Sequence, residues 1–310
     1  MAISLHARAK SPGTAVPHTG SKSARADHVD PTFHLFLFPT LVLFTLAITL
    51  PALMGIFFSF TDSIGFGEWS FTGFTNYVAL FSDPAVLNSY GFTIGLALVT
   101  VILVNIIAFL LAIALTARIR GTVALRAVFV LPMVVSGIII AFVFNFLFSN
   151  SLPAFAESIG FAPLVGSMLS DPDLAWIAIA LVTAWQAIPS ALLIYIAGVL
   201  SIPGDVHEAA SLDGASAWAQ LRLITLPLIS GYVLINLVIG FKNFLNAYDI
   251  IFGLTNGGPG TSTRSIAMVI FSGFTSGDYA YQMANATIFF LIALVIALIQ
   301  VRLTRGKAAF

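Results

Sequence analysis

Long apolar stretches and shorter polar segments alternate along this chain from about residue 33 onward. Each apolar stretch has at least about 20 residues, the length that a helix needs to cross a bilayer. A backbone in hydrocarbon must satisfy its own hydrogen bonds, and these stretches lack the alternation of membrane strands, so the pattern predicts helices. The six predicted spans are residues 33–60, 92–116, 127–148, 174–200, 223–251 and 280–301.

Basic residues divide the connections between the spans into two sets. The first set comprises both chain ends, 118–126 and 201–222, and the second comprises 61–91, 149–173 and 252–279. Eleven of the thirteen lysines and arginines lie in the first set, whereas Arg264 is the one basic residue of the second set against seven acidic residues. Because cytoplasmic loops carry an excess of lysine and arginine, both termini and the segment 201–222 are predicted to be cytoplasmic.

The pattern predicts one membrane domain, residues 33–305, between two polar tails. Residues 1–32 are rich in Ser, Ala, Pro and Gly and show no apolar periodicity, so we expect a disordered cytoplasmic tail. A secretory signal peptide is the competing interpretation, but the apolar stretch that follows is longer than the roughly 7–15 apolar residues of a signal peptide. Residues 306–310 are predicted to be a second cytoplasmic tail.

Composition agrees with the pattern and excludes several classes of protein. Hydrophobic residues make up 59% of the chain and charged residues 8%, and the mean hydropathy is +1.01, which indicates an integral membrane protein. A formal net charge of zero gives no electrostatic basis for binding nucleic acid. The chain has no cysteine, so disulfides are excluded, and we expect no metal site.

The polar segment 205–230 interrupts the apolar sequence with an unusual pattern. Asp205 is predicted to cap a short helix, with Glu208 completing a capping box, and Gly214 is predicted to make a bend before a second short helix. Apolar and aromatic side chains give this elbow anchors at Leu212, Trp218 and Leu221. The segment is net acidic, unlike most cytoplasmic connections, which indicates a dedicated partner surface.

These residues resemble the coupling loop of the membrane subunits of bacterial ATP-binding-cassette (ABC) importers. The resemblance rests on Glu-Ala-Ala at 208–210, Asp-Gly-Ala at 213–215, and Ile224 with Leu226-Pro227. Two positions depart from the family pattern, with Leu221 in place of phenylalanine and Ser230 in place of a second proline. The resemblance implies that an ATPase subunit docks on Glu208, Ala209, Ala210, Asp213, Gly214 and Ala215.

The outer segments resemble the carbohydrate-uptake branch of the same importers, typified by the larger membrane subunit of the maltose transporter. The matching residues are Gly-Phe-Thr-Asn-Tyr at 73–77, Asp-Ile-Ile at 249–251 and Leu-Thr-Asn-Gly-Gly-Pro-Gly at 254–260. The last run also predicts a sharp turn with little bulk. The similarity covers residues 33–305, nearly the whole chain.

This resemblance implies a fold, a function and a set of partners. The fold is the all-α integral membrane fold of type I ABC importer permeases, with six transmembrane helices and a cytoplasmic coupling helix. The function is import of a sugar or related polyol across the bacterial cytoplasmic membrane by alternating access. The expected partners are a second homologous permease subunit, two cytoplasmic ATPase subunits, an extracytoplasmic solute-binding protein and membrane lipid.

The sequence assigns nucleotide chemistry to other polypeptides. No Gly-x-x-x-x-Gly-Lys-Ser/Thr loop for phosphate occurs, so we expect ATP and Mg²⁺ on the partner subunits, with no cofactor in this chain. The five histidines lie in or beside the tail and in the coupling loop, and no catalytic constellation is present. The chain is therefore predicted to be a transport subunit and not an enzyme.

Polar residues inside spans are costly and therefore informative. The fourth span carries Thr183, Trp185, Gln186 and Ser190 around Pro189, and the fifth carries Asn236, Asn243, Asn246 and Asp249 along one predicted helical face. Amides, hydroxyls and aromatic faces suit a neutral polyhydroxylated solute. The resemblance also places the sugar contacts of the family here, which gives a predicted substrate path of Thr183, Trp185, Gln186, Ser190, Asn243, Asn246 and Asp249.

Two alternatives stay open at this point. The same polar groups, and Asn105 and Asn145 in other spans, would also serve as hydrogen bonds between helices. An ion-coupled secondary transporter or channel is the rival function, because Lys242 and Asp249 could serve ion movement. The residues do not name the solute, which ranges from mono- to oligosaccharides, polyols and glycerol phosphate, nor do they decide whether this subunit or its partner holds it.

Overall fold

The computed structural model describes residues 31–117 and 121–304. Within these ranges the chain is helical, and the one bridge between extended residues joins Thr61 to Phe71. The predicted all-α class is therefore confirmed. The predicted tail 306–310, and all but the last two residues of the predicted tail 1–32, lie outside the described residues.

The α-helices of the described ranges are α1 Pro31–Phe44, α2 Leu50–Phe58, α3 Thr75–Ser82, α4 Pro84–Thr116, α5 Thr122–Val130, α6 Gly137–Phe146, α7 Leu152–Ser158, α8 Pro172–Leu200, α9 Gly204–Leu212, α10 Ala217–Gln220, α11 Leu226–Leu228, α12 Ser230–Leu245, α13 Asp249–Thr255, α14 Ile266–Thr275 and α15 Tyr279–Thr304. Single π-helical turns join α1 to α2, α6 to α7 and α10 to α11. Five helical runs are long and apolar enough to cross a bilayer, namely Leu37–Phe58, Pro84–Thr116, Gly137–Ser158, Pro172–Leu200 and Tyr279–Arg302. A bent pair, Ala217–Leu228 with Ser230–Leu245, completes the predicted six.

Two compact units divide the chain, residues 1–51 and residues 52–310. In the first unit the described residues form α1, which contains Pro39, the π-helical turn that follows it and the first two residues of α2. The second unit contains the rest of α2 and the helices α3 to α15.

The main core of the second unit lies where α4, α8 and α12 pack together. Buried alanines, among them Ala97 and Ala108 on α4 and Ala184 on α8, let these helices approach closely. Small residues suit membrane helix interfaces, where association depends on close van der Waals packing. At Gly198 on α8, an added Cβ would stand only 2.8 Å from Cγ of Tyr232 on α12. A glycine is therefore required at this crossing.

A second core joins α6, α8 and α13. An added Cβ at Gly253 on α13 would stand 2.5 Å from Cβ of Ala141 on α6, so these two helices are almost in backbone contact. The surrounding buried side chains are aliphatic and include Ile140, Ile179, Ile251 and Leu254. The short helix α13 is thereby fixed inside the bundle.

Three intramembrane asparagines bind neighbouring helices together. The bonds join Asn105 Oδ1 to the Tyr195 hydroxyl at 2.5 Å, Asn145 Nδ2 to the Leu254 carbonyl at 2.6 Å and Asn236 Nδ2 to the Ala191 carbonyl at 3.1 Å. Each such bond contributes about 0.6 to 2 kcal/mol. These positions, which the sequence left open between path and packing, therefore connect helices.

The third predicted span, 127–148, began about ten residues too early. The structure breaks the helix at Leu131–Val134, a 3₁₀ turn that contains Pro132, and leaves Val135 extended. Proline has no N–H to donate, so Pro132 cannot make a helical hydrogen bond, whereas Leu131 before it keeps helical backbone (φ −51°, ψ −42°). The helix restarts at Gly137, so the bilayer-length run ends at Ser158. Residues 149–158, predicted to lie in an outer loop, are therefore helical.

The fifth predicted span, 223–251, is not one straight helix. The chain bends by 66° between α11 and α12, at Ile229, whose backbone (φ −91°, ψ 8°) leaves the helical region. A second break follows at Asn246, and the chain resumes as α13 from Asp249. The stretch is apolar on average, which conceals these breaks, because composition reports burial and not direction.

Candidate solute cavity and coupling loop

A cavity of about 410 Å³ opens between α8 and the junction of α12 with α13. Six of the seven residues predicted for a substrate path line it, namely Thr183, Gln186, Ser190, Asn243, Asn246 and Asp249. Its volume falls within the roughly 300 to 1,000 Å³ of small-molecule sites in proteins.

Helix α8 supplies one wall of this cavity. Thr183, Gln186 and Ser190 are three and four residues apart, so they share one helical face. The Gln186 amide donates to the Val135 carbonyl at 3.2 Å, and the Ser190 hydroxyl donates to the Ala187 carbonyl at 2.8 Å. Thr183 is 6% exposed, and its hydroxyl has no hydrogen-bond partner among the described residues.

The opposite wall comes from the end of α12 and the start of α13. The Asn246 amide donates to the Lys242 carbonyl at 2.9 Å, in the last turn of α12. The Asn243 side chain makes no hydrogen bond to any residue within 31–117 or 121–304, so its amide donors and acceptor are free to meet a solute. Asp249 follows the break, in the first turn of α13. The break turns side chains of two helices toward one space.

Trp185 does not line the cavity, contrary to the predicted path. Its ring packs against Phe144 on α6, with ring centroids 5.4 Å apart. Successive residues of a helix point about 100° apart, so Trp185 lies on a different face from Gln186. We correct its assignment to a packing residue.

The predicted stripe on the fifth span is also wrong in part. Asn236 is 4% exposed and donates to the Ala191 carbonyl, away from the cavity. Asn246 is the C-cap residue of α12, and Asp249 belongs to α13. The predicted stripe therefore does not continue along one helical face. The chain break, and not helical periodicity, brings Asn246 and Asp249 to the same cavity.

Sequence reasoning missed several lining residues, among them Met133, Gly137 and Tyr248. Met133 lies in the helix break of the third span, Gly137 begins the helix after it, and Tyr248 lies in the break after α12. An added Cβ at Gly137 would meet Oε1 of Gln186 at 3.3 Å, so the glycine leaves room for that amide. Pro132 was the sequence signal that could have placed this break at the cavity.

The coupling loop forms the predicted elbow of two short helices. Gly214 has φ +78° and closes α9: its N–H donates to the Ser211 carbonyl at 3.1 Å, and the Ala215 N–H donates to the Ala210 carbonyl at 2.9 Å. These two bonds form a Schellman motif, which depends on a left-handed residue. The prediction of a bend at Gly214 is confirmed.

Ser216 and Gln220 hold the second half of the elbow. The Ser216 hydroxyl caps α10 by accepting from the Ala219 N–H at 3.2 Å. The Gln220 amide donates to the Ser211 hydroxyl at 3.0 Å and to the Ala215 carbonyl at 3.2 Å. Side chains therefore fix the angle between α9 and α10.

The capping box predicted for α9 is absent. The helix begins at Gly204 after Pro203, which has no side chain that can cap, and Asp205 lies inside the first turn. Its carboxylate there still interacts favourably with the positive end of the helix. Glu208 makes no return bond and is exposed to solvent.

The outer face of the elbow is exposed and carries both apolar and acidic groups. Leu212 is 89% exposed and Trp218 is 69% exposed, while Glu208 and Asp213 are exposed beside them. Ala209 and Gly214 are also exposed, Ala215 is half-buried, and Ala210 is buried. Large apolar side chains in contact with water indicate a surface that binds another protein.

Comparison with known proteins decides the family. Residues 120–307, more than half of the chain, match the family described as the binding-protein-dependent transport system inner membrane component. The chain belongs to this family. It is a multi-pass membrane permease of the ABC transporter class, as the coupling loop indicated.

Two of the named relatives of this permease have names that refer to starch degradation products and to multiple sugars. It is 34% identical over 276 residues to the probable starch degradation products transport system permease AmyD of Thermoanaerobacterium thermosulfurigenes, covering 89% of this chain and 94% of the relative. It is 32% identical over 272 residues to the multiple sugar-binding transport system permease MsmF of Streptococcus mutans, covering 87% and 94%. The predicted carbohydrate-uptake branch is confirmed, and the relatives are transport subunits rather than enzymes.

A solved structure has the same fold as this permease. It is the bacterial alginate ABC transporter in complex with its periplasmic protein bound to an alginate pentasaccharide. One of its chains superposes with a TM-score of 0.79 at 22% identity, covering 90% of this chain and 96% of that one. The predicted permease fold is confirmed.

The described part of the permease contains no candidate metal site. Across residues 31–117 and 121–304, no three His, Cys, Asp or Glu side chains come together in a group that could hold a metal ion. The groups that converge on the cavity are amides, hydroxyls and one carboxylate. The amides and hydroxyls can donate and accept hydrogen bonds, and the Asp249 carboxylate can accept them.

Proposed function

We propose that this permease subunit imports a sugar or related polyol across the bacterial cytoplasmic membrane, driven by ATP, by alternating access. The cavity between α8 and the α12–α13 junction carries the proposal. Its amides and hydroxyls each donate and accept hydrogen bonds, which matches the hydroxyl groups of a sugar. The names of the two relatives, which refer to starch degradation products and to multiple sugars, support the same class of solute.

The proposal assigns ATP hydrolysis to partner subunits. Two cytoplasmic ATPase subunits, each with ATP and Mg²⁺, would hydrolyse the nucleotide, and one would dock on the elbow. Exposed Leu212 and Trp218 supply apolar anchors, and Glu208 and Asp213 give that surface its negative charge. A second homologous permease subunit would complete the membrane path, surrounded by lipid, and an extracytoplasmic solute-binding protein would deliver the solute.

Two helices connect the elbow to the cavity. Helix α8 runs without a break from Thr183 through Pro189 to Leu200, just before the elbow. Helix α12, which follows the elbow after α11 and the bend at Ile229, leads to Asn243. The bond from Asn236 to Ala191 and the close approach at Gly198 hold α8 and α12 together. Closure of the ATPase dimer would therefore move both cavity walls as one unit.

The expected orientation follows from the distribution of basic residues. Both termini and Gly214 face the cytoplasm, and Trp69, Glu157 and Gly258 face outward. This orientation puts the elbow on the side where ATP is available.

Reconstitution tests the function directly. The complex, purified with its partner subunits, is placed in proteoliposomes, and uptake of a panel of labelled sugars and polyols is measured with and without ATP. We expect uptake that requires both ATP and the solute-binding protein. Uptake driven by a proton or sodium gradient without ATP would overturn the proposal in favour of an ion-coupled transporter.

A further inference from the structure

A second cavity, of about 370 Å³, adjoins the first at Tyr248. It lies between α13, the turn 256–264 and α14, and Tyr248 lines both cavities. Its volume is also within the range of small-molecule sites. The function proposed above makes no use of it.

Aromatic rings build one wall of this second cavity. The Tyr248 and Phe252 rings stack, with centroids 5.6 Å apart and planes 10° from parallel, and the edge-on Phe271 ring lies 5.5 Å from Tyr248. Such pairs add stability beyond the area that they bury, so they hold the Tyr248 ring in place. Phe252 is 41% exposed, which leaves part of this wall open to a ligand.

Arg264 faces this wall from the turn. Gly257, with φ +85°, leaves space for it: an added Cβ at Gly257 would meet both Cβ and Cγ of Arg264 at 3.4 Å. The guanidinium donates to the hydroxyl of Ser272 on α14. A guanidinium has five N–H donors, so most of them remain available.

The turn that carries Arg264 is rigid. Thr263 is fully buried, and its hydroxyl donates to the Gly258 carbonyl at 2.5 Å and contacts the Thr255 hydroxyl at 2.8 Å. The Thr263 N–H also donates to the Gly257 carbonyl at 3.2 Å. Because the backbone before Arg264 is fixed on both sides, its side chain is positioned before any ligand arrives.

No carboxylate neutralises this arginine among the described residues. Asp83 and Asp278 border a neighbouring cavity that Arg264 also lines, but neither forms an ion pair with it. The Asp83 carboxylate instead accepts from the Tyr281 hydroxyl at 3.1 Å and from the Ala85 N–H at 2.9 Å. Arg264 is also the one basic residue of the segments predicted to lie outside.

We propose that this cavity is a second subsite that receives an acidic group carried by the solute, such as a carboxylate, sulfonate or phosphate, with the rest of the solute against the Tyr248 ring. The planar guanidinium fork matches the oxygens of such groups. The inference rests on the proposed function, because Tyr248 connects this subsite to the amide-lined cavity.

Matched acidic and neutral probes test the subsite. Binding of methyl glucuronide and methyl glucoside, and of glucose 6-phosphate and glucose, is measured on the purified complex without its solute-binding protein. We expect the acidic member of at least one pair to bind about ten-fold or more tightly than its neutral partner. Arg264→Gln should abolish this advantage, Arg264→Lys should keep part of it, and the matched control Arg302→Gln, at the end of α15, should keep all of it.

Salt gives a second readout that needs no substitution. An advantage due to Arg264 should shrink as the sodium chloride concentration rises, because salt screens a partly exposed charge. The subsite is overturned if no acidic probe binds better than its neutral partner, if Arg264→Gln keeps the advantage, or if the advantage is insensitive to salt.

Asn246→Leu separates this inference from the proposed function. If Asn246→Leu weakens the neutral probes while acidic probes never bind better, the proposed function stands and the second subsite fails. If Arg264→Gln removes an acidic advantage and Asn246→Leu changes nothing, the second subsite stands and the amide-lined path fails.

Discussion

The Asn236 side-chain amide donates to the Ala191 carbonyl at 3.1 Å, which joins α12 to α8 in the interior of the bundle. Helix α8 leads into the coupling loop, and α12 follows the loop after α11 and the bend at Ile229. Both partners are buried, so the bond is made where water cannot replace it. We therefore expect movement of the loop to reach the cavity through a connected pair of helices rather than through one.

Replacing Asn236 by Leu should destabilise this pair without touching the cavity. The change leaves the Ala191 carbonyl without its interhelical donor, which should cost about 0.6 to 2 kcal/mol of stability. Thermal unfolding of the purified complex measures the loss. Uptake per mole of assembled complex should stay close to that of the wild type, because the close approach of Gly198 to Tyr232 still holds α8 against α12. A stable complex with altered solute preference would instead place Asn236 in the path.

Gly214→Val should uncouple the ATPase subunits from transport. Gly214 has φ +78°, and a left-handed backbone costs a residue with a side chain about 1 to 2 kcal/mol, and more for a β-branched one. The elbow would lose its Schellman bonds, so docking or coupling of the ATPase should fail while membrane insertion stays normal. Copurification of the ATPase subunits and ATP-driven uptake measure the effect.

Gly204→Ala is the matched control for the elbow. Gly204 has no positive φ, and an added Cβ there would meet nothing within 4 Å. This variant should transport as the wild type does. If Gly214→Val assembled and transported normally as well, the elbow would be only a connection between helices.

Asp62 should anchor the loop between the first span and α3 in a pH-dependent way. The Ser70 hydroxyl and the Ser70 N–H donate to its carboxylate at 2.5 and 2.6 Å, and these hydrogen bonds lower the pKa of Asp62 from its usual 3.8. Because the pKa of Asp62 is lower in the folded loop than in the unfolded chain, the ionised carboxylate stabilises the loop at pH values above the unfolded pKa. This stabilisation is lost as the pH falls through the folded pKa. At neutral pH the loop is therefore fully stabilised.

Hydrogen exchange of residues 70–73 measures this anchor. Asp62→Asn imitates the protonated carboxyl. In this variant the backbone amides of residues 70–73 should therefore exchange faster than those of the wild type at pH 7. The difference in exchange rate between the variant and the wild type should disappear only at pH values below the ordinary pKa range of aspartate. Equal exchange at pH 7 would show that the Asp62 bonds do not hold the loop.

Single-cysteine labelling tests the orientation, because the natural chain contains no cysteine. Cysteine at position 214 should react with an impermeant thiol reagent only from the cytoplasmic side. Cysteines at positions 69, 157 and 258 should react from outside. Labelling of position 214 from outside would reverse the assigned topology.

Helix content was predictable from the sequence, and helix direction was not. Apolar length found six spans, and the elbow was predictable because Gly214 is a local signal. The break around Pro132 has a local signal in the proline itself, but the apolar composition around it and around the 66° bend at Ile229 does not report either change of direction. A hydropathy pattern therefore finds a span but misplaces its ends.

The sequence predicted which types of residue line the candidate site, but it did not predict which side chains point into the cavity. Gln186 and Trp185 are adjacent in the chain, yet Gln186 lines the cavity while Trp185 packs on Phe144. Asn236 and Asn246 are both polar residues in an apolar stretch, and only the tertiary partner, the Ala191 carbonyl, distinguishes them. Such partners lie far away in sequence, beyond what local periodicity reports.

The central claim is that the amide-lined cavity between α8 and the α12–α13 junction holds the solute, and Asn246→Leu tests it most directly. The change keeps the volume similar and removes the amide, so a solute hydroxyl would lose its partner at a cost of about 1 to 3 kcal/mol. Asn243→Leu is the companion variant, since the Asn243 side-chain amide makes no hydrogen bond within the described residues and its loss breaks none.

The measurement is uptake and basal ATPase activity per mole of purified complex. We expect both variants to assemble and to keep basal ATPase activity, while uptake of the transported sugar falls roughly 5- to 140-fold, as that loss of binding energy requires. Full uptake by assembled Asn246→Leu and Asn243→Leu complexes would contradict the account and remove this cavity from the path of the solute.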